Sequence, residues 1–237
     1  MIESQFTTLL GVGAREELKN KVVAFARHLG FDTVSATYVI DHLVGETEFI
    51  TVDNTPPGYL KLFLSRENWS RDPVMQHCKR HGTPIVWDQS TYTAKGLGDI
   101  WELQACHGYR YGIALALHMP GGRHFFIGVD RDKPLPEDAS EVTRLASELA
   151  LFAVFAQDPA ARVLAPPRVV SDTCRLTPRE IDALRWTMKG KTAWEVGVLM
   201  AISEETAAKH LKAATRKLNC VNKLQAVLEA LRLEIIS

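Results

Sequence analysis

The chain has 237 residues, which is long for one ordinary domain and comfortable for two, because domains cluster at roughly 100 to 150 residues. Hydrophobic residues make up 46% and charged residues 24%, which excludes a disordered, collagen-like or coiled-coil chain. No apolar run reaches the ~18 residues that span a bilayer, and the start, MIESQFTTLL, does not have the pattern of a signal peptide. We therefore expect a cytoplasmic protein with no membrane partner.

Charge and cysteine usage narrow the function classes further. Lysine plus arginine and aspartate plus glutamate both count 28, so the net charge is zero. Residues 172–237 carry 11 basic and 8 acidic side chains, so the C-terminal part is the basic one. The four cysteines are widely scattered, without a CxxC pair or a Cys/His cluster, which predicts free thiols.

Helical and β-rich segments alternate along the N-terminal half. The clearest feature is a hairpin, in which Ile113–His118 and Phe125–Val129 flank the turn sequence MPGG. A long helix follows from about Pro136 to Ala156, and because its last part is apolar nearly all round it is expected to be buried on several sides or to face a second subunit. The other predicted elements are a helix at Arg15–Leu29, strands at Thr33–Ile40 and Glu48–Val52, a helix beginning at Pro57, and a helix from Asp72-Pro73 to Gly82.

A linker and four short helices are predicted after this half. Residues 157–173 contain three prolines and no helical period. Capping boxes at Thr177 and Thr192 and N-caps at Ser203 and Asn222 then mark four helix starts in a short space. We predict an N-terminal domain at 1–160, a linker at 161–173 and a helical domain at 174–237.

The second and third of these helices form a helix-turn-helix, since a short helix, a turn of about three residues and a longer capped helix follow one another. No acidic residue occurs between Glu205 and Glu229, whereas Lys209, Lys212 and Arg216 recur on one side of the third helix. A helix with one cationic side suits a phosphate-lined groove, although a solvated surface helix is the alternative.

The segment LTPREIDALRWTMKGKTAWEVGVLMAISEETAAKHLKAATRKLNCVNKLQA, residues 176–226, resembles the DNA-binding domain of LuxR-type transcription factors. The family pattern is L-T-x-R-E, W, G-K-[ST]-x-x-E-[IV], [SD]-x-x-T-V-x-x-H, K-L and N-K-x-x-A, and the chain departs from it at Ala207, where valine is usual. One helix-turn-helix covers little DNA and the helix at 136–156 is apolar, so we expect a homodimer on double-stranded DNA with inverted half-sites. The DNA-binding residues implied are Lys191, Thr192, Thr206, Lys209, His210, Lys212, Arg216 and Lys217.

The N-terminal half lacks the early acidic pair of a receiver module and instead resembles the autoinducer-binding domain of quorum-sensing LuxR proteins. The resemblance rests on the motifs DPV at 72–74, PIVW at 84–87 and G-x-x-x-G at 108–112. It implies an α+β fold, an α-β-α sandwich around an antiparallel sheet that encloses an acyl-homoserine lactone. The all-α four-helix helix-turn-helix domain would follow this sandwich.

The resemblance also implies a set of ligand-binding residues. Asp72 holds the place of the aspartate that accepts a hydrogen bond from the ligand amide, and it is also a candidate N-cap for the helix that begins at Pro73. Trp87 matches the tryptophan that packs on the ligand head group. Trp101, with Ile100 beside it, falls where an aromatic residue borders the lactone. Either tryptophan could equally be an ordinary core residue.

Three positions depart from the family's usual polar set. Tyr59 stands where a tryptophan indole donates to the lactone carbonyl, and Thr55 and Phe63 replace two tyrosines. The site therefore takes a lactone with fewer hydrogen bonds, takes a different small molecule, or takes no ligand.

Enzyme and metal-binding functions have little support in the sequence. His77 and His81 lie four positions apart on one predicted helix, but no third metal ligand, nucleophile motif or glycine-rich phosphate loop is evident. We expect no catalytic residue, metal or cofactor. The prediction is a ligand-responsive, sequence-specific transcriptional regulator; the alternative is a ligand-independent regulator or anti-activator that acts by homo- or heterodimerisation.

Overall fold

The computed structural model describes residues 4–42, 46–56, 59, 70–165, 176–233 and 235–236. The chain divides into two compact units, one with nearly all of residues 1–167 and the other mainly with residues 168–237. None of the described helices combines the length and the hydropathy needed to cross a lipid bilayer. The helix predicted to begin at Pro57 falls largely outside the described residues, and the exact domain boundaries stay predictions.

The first unit contains an antiparallel sheet of five strands within the described residues, in the order β2-β1-β5-β4-β3. The predicted hairpin is confirmed, since β4 and β5 pair along their whole length. The strand β3 was not predicted, because three residues are too few to show an alternation. The strands are β1 Thr33–Ile40, β2 Glu48–Asp53, β3 Ile85–Trp87, β4 Tyr111–Met119 and β5 Arg123–Arg131.

Helices cover both faces of this sheet. Alternation along β1 and β4 directs Val34, Ala36 and Ile113 to a core shared with α2 and α6, whereas Ala114 and Ala116 point to a second core with α3, α4 and α5. The predicted α-β-α sandwich is therefore confirmed. The helices of this unit are α1 Ser4–Thr7, α2 Arg15–His28, α3 Pro73–Arg80, α4 Gln89–Thr93, α5 Gly98–Ala105 and α6 Ala139–Leu164.

Helix α6 differs from its prediction at both ends. It begins at Ala139 instead of near Pro136, and it ends at Leu164 instead of near Ala156. The prolines of this region suggested a break, but Pro159 is accommodated inside the helix and is buried, as is Leu164. Burial against the first core outweighs the local preference of proline, so the first residues of the predicted linker are helical.

The second unit is helical in its described part, as predicted. All four predicted N-caps are confirmed: Thr177, Thr192, Ser203 and Asn222 each accept a hydrogen bond from a backbone N–H in the first turn of their helix, at 2.9 to 3.3 Å. These caps satisfy donors that would otherwise have no partner in the helix. The helices are α7 Pro178–Met188, α8 Ala193–Leu199, α9 Glu204–Lys217 and α10 Lys223–Arg232.

Candidate ligand cavity and nucleic-acid interface

A cavity of about 140 Å³ lies between the second face of the sheet and helices α3, α4 and α5. One part of its wall is apolar and another carries hydroxyl, amide and carboxyl groups, which is the usual arrangement for a small-molecule site. The sheet contributes Ser35, Thr37, Val39, Phe49, Thr51, Trp87, Ala114, Phe126, Gly128 and Asp130, and the rest of the wall is formed by Thr55, Tyr59, Asp72, Val74, Met75, Tyr92, Gln104 and Tyr109.

Four of the predicted ligand-binding residues come together on this wall. Thr55, Tyr59, Asp72 and Trp87 all line the cavity, although they are far apart in the sequence. The ring of Trp87 meets that of Tyr92 edge to face, with ring centroids 5.9 Å apart. Their ligand contacts remain predictions.

The other three predicted ligand residues are not on the wall as described. Ile100 is buried in the second core, and Trp101 packs at the edge of that core with its Nε1 directed at the carbonyl of Arg110, 3.4 Å away. Trp101 is thus packed as a core residue would be, and the ligand contacts predicted for Ile100 and Trp101 stay predictions. Phe63 lies outside the described residues.

Asp72 serves both as a helix cap and as part of the cavity wall. Its Oδ1 accepts hydrogen bonds from the backbone N–H groups of Val74 at 2.8 Å and Met75 at 2.9 Å, which confirms the N-cap interpretation. Its Oδ2 accepts a hydrogen bond from the Tyr92 hydroxyl at 3.0 Å. Burial raises the pKa of Asp72, although these hydrogen bonds oppose the shift.

Tyrosines and a glutamine form a second polar group on the wall. Tyr59 stacks on Tyr109 with ring centroids 4.0 Å apart, and its hydroxyl donates to Oε1 of Gln104 at 3.4 Å. Burial raises the pKa of Tyr109 to about 12, so its hydroxyl stays neutral at physiological pH. The hydroxyls of Thr55 and Thr33 only partly oppose the effect of burial on the pKa of Tyr109. The Tyr109 hydroxyl and Nε2 of Gln104 are buried, and in the described part of the chain neither has a hydrogen-bond partner within 3.5 Å. Buried donors of this kind are costly, so both are candidates for ligand contact.

Asp130 is a second buried carboxylate on the wall, and it was not predicted. It lies near the end of β5, opposite Gly112 of β4. Burial, and after it the neighbouring Asp72, raises the pKa of Asp130 well above its ordinary value. Its carboxylate accepts no hydrogen bond from the residues that the structure describes.

The sequence contained a partial signal for the cavity residues that were missed. Ser35 and Thr37 alternate with apolar residues along β1, and this alternation directs them to the second face of the sheet. Asp130 continues the same alternation in β5 one residue beyond the predicted strand. Tyr92 and Gln104 lie on helices too short to show a periodicity, so no local pattern marks them.

The helix-turn-helix is formed by α8, a short turn and α9. Gly197 is needed at the contact, because a Cβ there would lie 2.9 Å from the carbonyl oxygen of Ile202 in the turn. Ala201 has a left-handed backbone with φ of 54°, which is uncommon for a residue with a side chain. The smaller residue noted in the sequence, Ala207, is fully buried on the inner side of α9.

The predicted cationic side of α9 is confirmed. Lys209, Lys212 and Arg216 are exposed, whereas Leu211 on the opposite side is buried. Lys209 forms a surface ion pair with Glu205 at 2.8 Å. Two other predicted DNA-binding residues, Thr206 and His210, are partly exposed on the same helix.

Three predicted DNA-binding residues have structural partners. Thr192 caps α8, and Lys191 pairs with Glu195 at 3.3 Å. Lys217 lies 2.8 Å from Glu180, which is only 5% exposed. The Lys217 ion pair ties α9 to α7, so the structure gives this lysine a role in domain packing and its contact with DNA stays a prediction.

The two histidines considered as metal ligands have other contacts within the protein. His77 Nε2 lies 2.8 Å from the carbonyl oxygen of Thr83, and the rings of His77 and His81 have centroids 4.9 Å apart. Among the described residues, no three His, Cys, Asp or Glu side chains are grouped as metal ligands.

Comparison with known proteins identifies both halves of the chain. Residues 14–160 match the autoinducer binding domain family, and residues 175–230 match the bacterial regulatory proteins of the luxR family. The transcriptional activator BjaR1 of Bradyrhizobium diazoefficiens is 30% identical over 232 residues, covering 90% of this chain and 86% of that protein. The quorum sensing-dependent transcriptional regulator RpaR of Rhodopseudomonas palustris is 30% identical over 195 residues, covering 81% of this chain and 77% of that protein.

The fold is also found in a solved structure. The crystal structure of Escherichia coli SdiA superposes with a TM-score of 0.79 at 23% identity, covering 99% of this chain and 98% of that one. The two relatives compared above are transcriptional regulators rather than enzymes. The chain belongs to the LuxR family of bacterial transcriptional regulators, with an autoinducer-binding domain followed by a LuxR-type DNA-binding domain.

Proposed function

We propose that the cavity binds an acyl-homoserine lactone or a related small amide, and that this ligand controls DNA binding by a homodimer. The observation that carries the proposal is the Asp72 carboxylate, which is buried in the cavity wall of the autoinducer-binding domain. A buried carboxylate requires hydrogen-bond donors. Tyr92 supplies one to Oδ2, and because a carboxylate oxygen has two acceptor positions, Oδ2 retains one for a ligand amide N–H.

The neighbouring aromatic residues supply the rest of the head-group site. The Tyr59 hydroxyl, which donates to Oε1 of Gln104 at 3.4 Å, would exchange this long hydrogen bond for one to a ligand carbonyl, in place of the tryptophan usual in the family. The Trp87 ring provides a flat apolar surface against the head group, and the acyl chain would lie along the apolar part of the wall near Val39 and Phe126.

Helix α9 is proposed as the helix that enters the major groove. Its exposed side carries Lys209, Lys212 and Arg216, and its N-terminal turn presents Thr206. Positive charge on this side supplies affinity for phosphates, and the side chains nearest the base edges supply sequence choice. Because Lys209 is already paired with Glu205, DNA binding would replace that surface ion pair.

Homodimerisation is proposed through apolar side chains that the single chain leaves exposed. On α6, Leu151 is 41% and Val154 49% exposed, although the opposite side of the helix is buried. On α10, Leu224 and Leu228 are also exposed and lie four residues apart. A two-fold dimer would cover such patches and would place two recognition helices on inverted half-sites.

The dimer is tested by sedimentation of the full chain and of Val154→Lys. The wild type should sediment as a dimer, and the variant should be shifted towards monomer and should protect DNA poorly in footprinting. Val86 is 44% exposed on β3, so Val86→Lys is the matched control and should remain dimeric. A monomeric wild type that protects a single half-site would contradict the proposed dimer.

A ligand-independent regulator is the second candidate, favoured by the replacement of two family tyrosines by Thr55 and Phe63. Thermal unfolding of the full chain with acyl-homoserine lactones of increasing chain length separates the two. A ligand at 100-fold excess over its Kd stabilises the folded state by about 2.7 kcal/mol, which raises Tm measurably. The shift should be reduced in Asp72→Asn and retained in Asp138→Asn, which alters a helix cap outside the cavity wall. Identical Tm values with and without every lactone would favour the second candidate.

A further inference from the structure

The cavity contains a carboxylate that the proposed amide ligand does not use. Asp130 is 8% exposed, and none of the described residues donates a hydrogen bond to its side chain. Asp72, the other carboxylate of the wall, has three donors and can take the ligand amide. A buried carboxyl group without hydrogen-bond donors destabilises the folded protein. Such groups are therefore found more often at binding sites than in the hydrophobic core.

The backbone leaves space for this carboxylate beside the aromatic wall. Gly112 of β4 pairs with Asp130 of β5, and a Cβ at Gly112 would lie 2.7 Å from Oδ1 of Asp130 and 2.6 Å from Nε1 of Trp87. Any other residue at this position would therefore displace either the carboxylate or the indole. The glycine allows both polar groups to lie against the same point of the sheet, facing the cavity.

Further polar groups without a partner lie on the same wall. Nε2 of Gln104 and the hydroxyl of Tyr109 are buried donors with no acceptor in the described residues, and Asp130 is an acceptor with no donor. They do not satisfy one another in the structure. A ligand with both a donor and an acceptor, in addition to its amide, would satisfy all three groups.

We propose that Asp130 is a second anchor of the ligand site, and that the ligand carries a second hydrogen-bond donor, an amine or a hydroxyl, in addition to the amide N–H that Asp72 accepts. This inference rests on the proposed function, since it places the same ligand in the same cavity. It narrows the ligand class, because the head group of a simple acyl-homoserine lactone has only the amide N–H as donor. Asp130 is then a residue that selects among small amides.

The test measures the affinity of the full chain for three amides that differ only at one end. N-butylbutanamide has no second donor, and its ω-hydroxy and ω-amino derivatives add one. The titrations are made at a pH above the raised pKa of the Asp130 carboxyl, where this group is ionised. The ω-hydroxy derivative should then bind about 2- to 10-fold more tightly than N-butylbutanamide, and the charged ω-amino derivative about 10- to 150-fold more tightly. Asp130→Ala should bind all three amides with similar affinity. Asp130→Asn should lose the tighter binding of the ω-amino derivative.

Asp132→Asn is the matched control, because Asp132 is an exposed aspartate two residues further on that pairs with Arg110 at 3.2 Å. It should retain both advantages. Asp130→Asn should also unfold at a Tm equal to or above that of the wild type, since no hydrogen bond is lost, and a lower Tm would show a purely structural role. Equal affinity for the three amides would contradict the proposal that Asp130 binds a second donor of the ligand. The same holds if none of the three amides binds measurably. Lactone binding through Asp72 would then still support the proposed function by itself.

Discussion

The Tyr92 hydroxyl donates a hydrogen bond to Oδ2 of Asp72 at 3.0 Å, while Oδ1 of the same carboxylate caps helix α3. One side chain therefore fixes the start of a helix, orients a phenol and faces the cavity. Ligand binding at Asp72 and the stability of this part of the domain are consequently coupled, and a loss of response in an Asp72 variant has two possible causes.

Asp72→Ala and Asp72→Asn should separate these causes. Loss of the cap costs about 1 kcal/mol and an unpaired buried phenol about 1 to 3 kcal/mol, so Asp72→Ala should lower the free energy of unfolding by about 2 to 4 kcal/mol. Asn is also a good N-cap, so Asp72→Asn should cost less while losing the charge that strengthens the ligand hydrogen bond. Urea unfolding gives the stability and calorimetric titration gives the affinity. Asp138→Ala, which removes only the cap of α6, should cost about 1 kcal/mol and leave affinity unchanged.

Asp130 should make the stability of the protein depend on pH. Its folded-state pKa lies well above the ordinary value of 3.8, so the folded protein keeps a proton that the unfolded chain has released. The contribution of Asp130 to stability is therefore most favourable at low pH and falls as pH rises from 3.8 towards the raised pKa, by up to about 1.4 kcal/mol per pH unit. The asparagine side chain of Asp130→Asn does not titrate, so this variant does not lose stability in this way. The free energy of unfolding of the variant, relative to that of the wild type, should therefore increase with pH. Parallel pH profiles for the two proteins in urea unfolding would contradict this.

The ion pair between Lys217 and Glu180 should stabilise the helix-turn-helix domain. Burial by itself raises the pKa of Glu180, but hydrogen bonds from Lys217 and Thr177 outweigh burial and hold the pKa below its ordinary value of 4.5. Lys217→Ala should lower the free energy of unfolding by about 1.5 to 3 kcal/mol at neutral pH. The effect should shrink as pH falls through the depressed pKa of Glu180, because the protonated acid no longer pairs.

The surface pair of Lys209 with Glu205 provides the control for that prediction. Both side chains are more than two-thirds exposed, so water and salt screen the interaction. Glu205→Ala should therefore change stability by less than about 1 kcal/mol, measured in the same chemical unfolding series. An equal loss for the two variants would mean that the Lys217 pair contributes no more than a surface ion pair.

Arg216 should contact a phosphate of the DNA backbone. Arg216→Ala should weaken binding similarly for different duplex sequences and should reduce the slope of log K against log salt by about one. Lys212→Ala should weaken binding as well and can also relax sequence choice, because Lys212 lies closer to the start of α9. Arg185 on α7 is an exposed arginine paired with Asp182, and Arg185→Ala should leave the salt slope unchanged. A salt titration by fluorescence anisotropy measures all three slopes.

The helix-turn-helix could be predicted from the sequence because its signals are local. Each helix begins with a side chain that caps the backbone N–H groups of its own first turn, so Thr177 and Ser203 mark their helices without information from elsewhere in the chain. The charged side of α9 follows from helical periodicity in the same way. The ion pair of Lys217 with the buried Glu180 could not be predicted, because these residues are 37 positions apart and meet only when α7 and α9 pack.

The cavity was only partly predictable because its polar wall is formed by long-range contacts. Asp72 and Trp87 could be found from short motifs, whereas Tyr92 is identified only by the hydroxyl that reaches Asp72 across 20 positions. The partner of Asp130 in the sheet, Gly112, is also distant in sequence, so neither residue indicates the other. The extension of α6 through Pro159 was missed for a related reason, since burial against the first core overrides the local signal of proline.

The central claim, that a small amide in the cavity controls DNA binding, is tested most directly by measuring DNA affinity with and without ligand. A duplex with inverted half-sites selected by the protein from random sequences is titrated by fluorescence anisotropy, with and without saturating acyl-homoserine lactone. Coupling between two sites typically changes affinity by about 5- to 150-fold, and a change of this size is predicted for the wild type and not for Asp72→Asn. The same DNA affinity with and without lactone, in a wild type that calorimetry shows to be saturated, would contradict the claim.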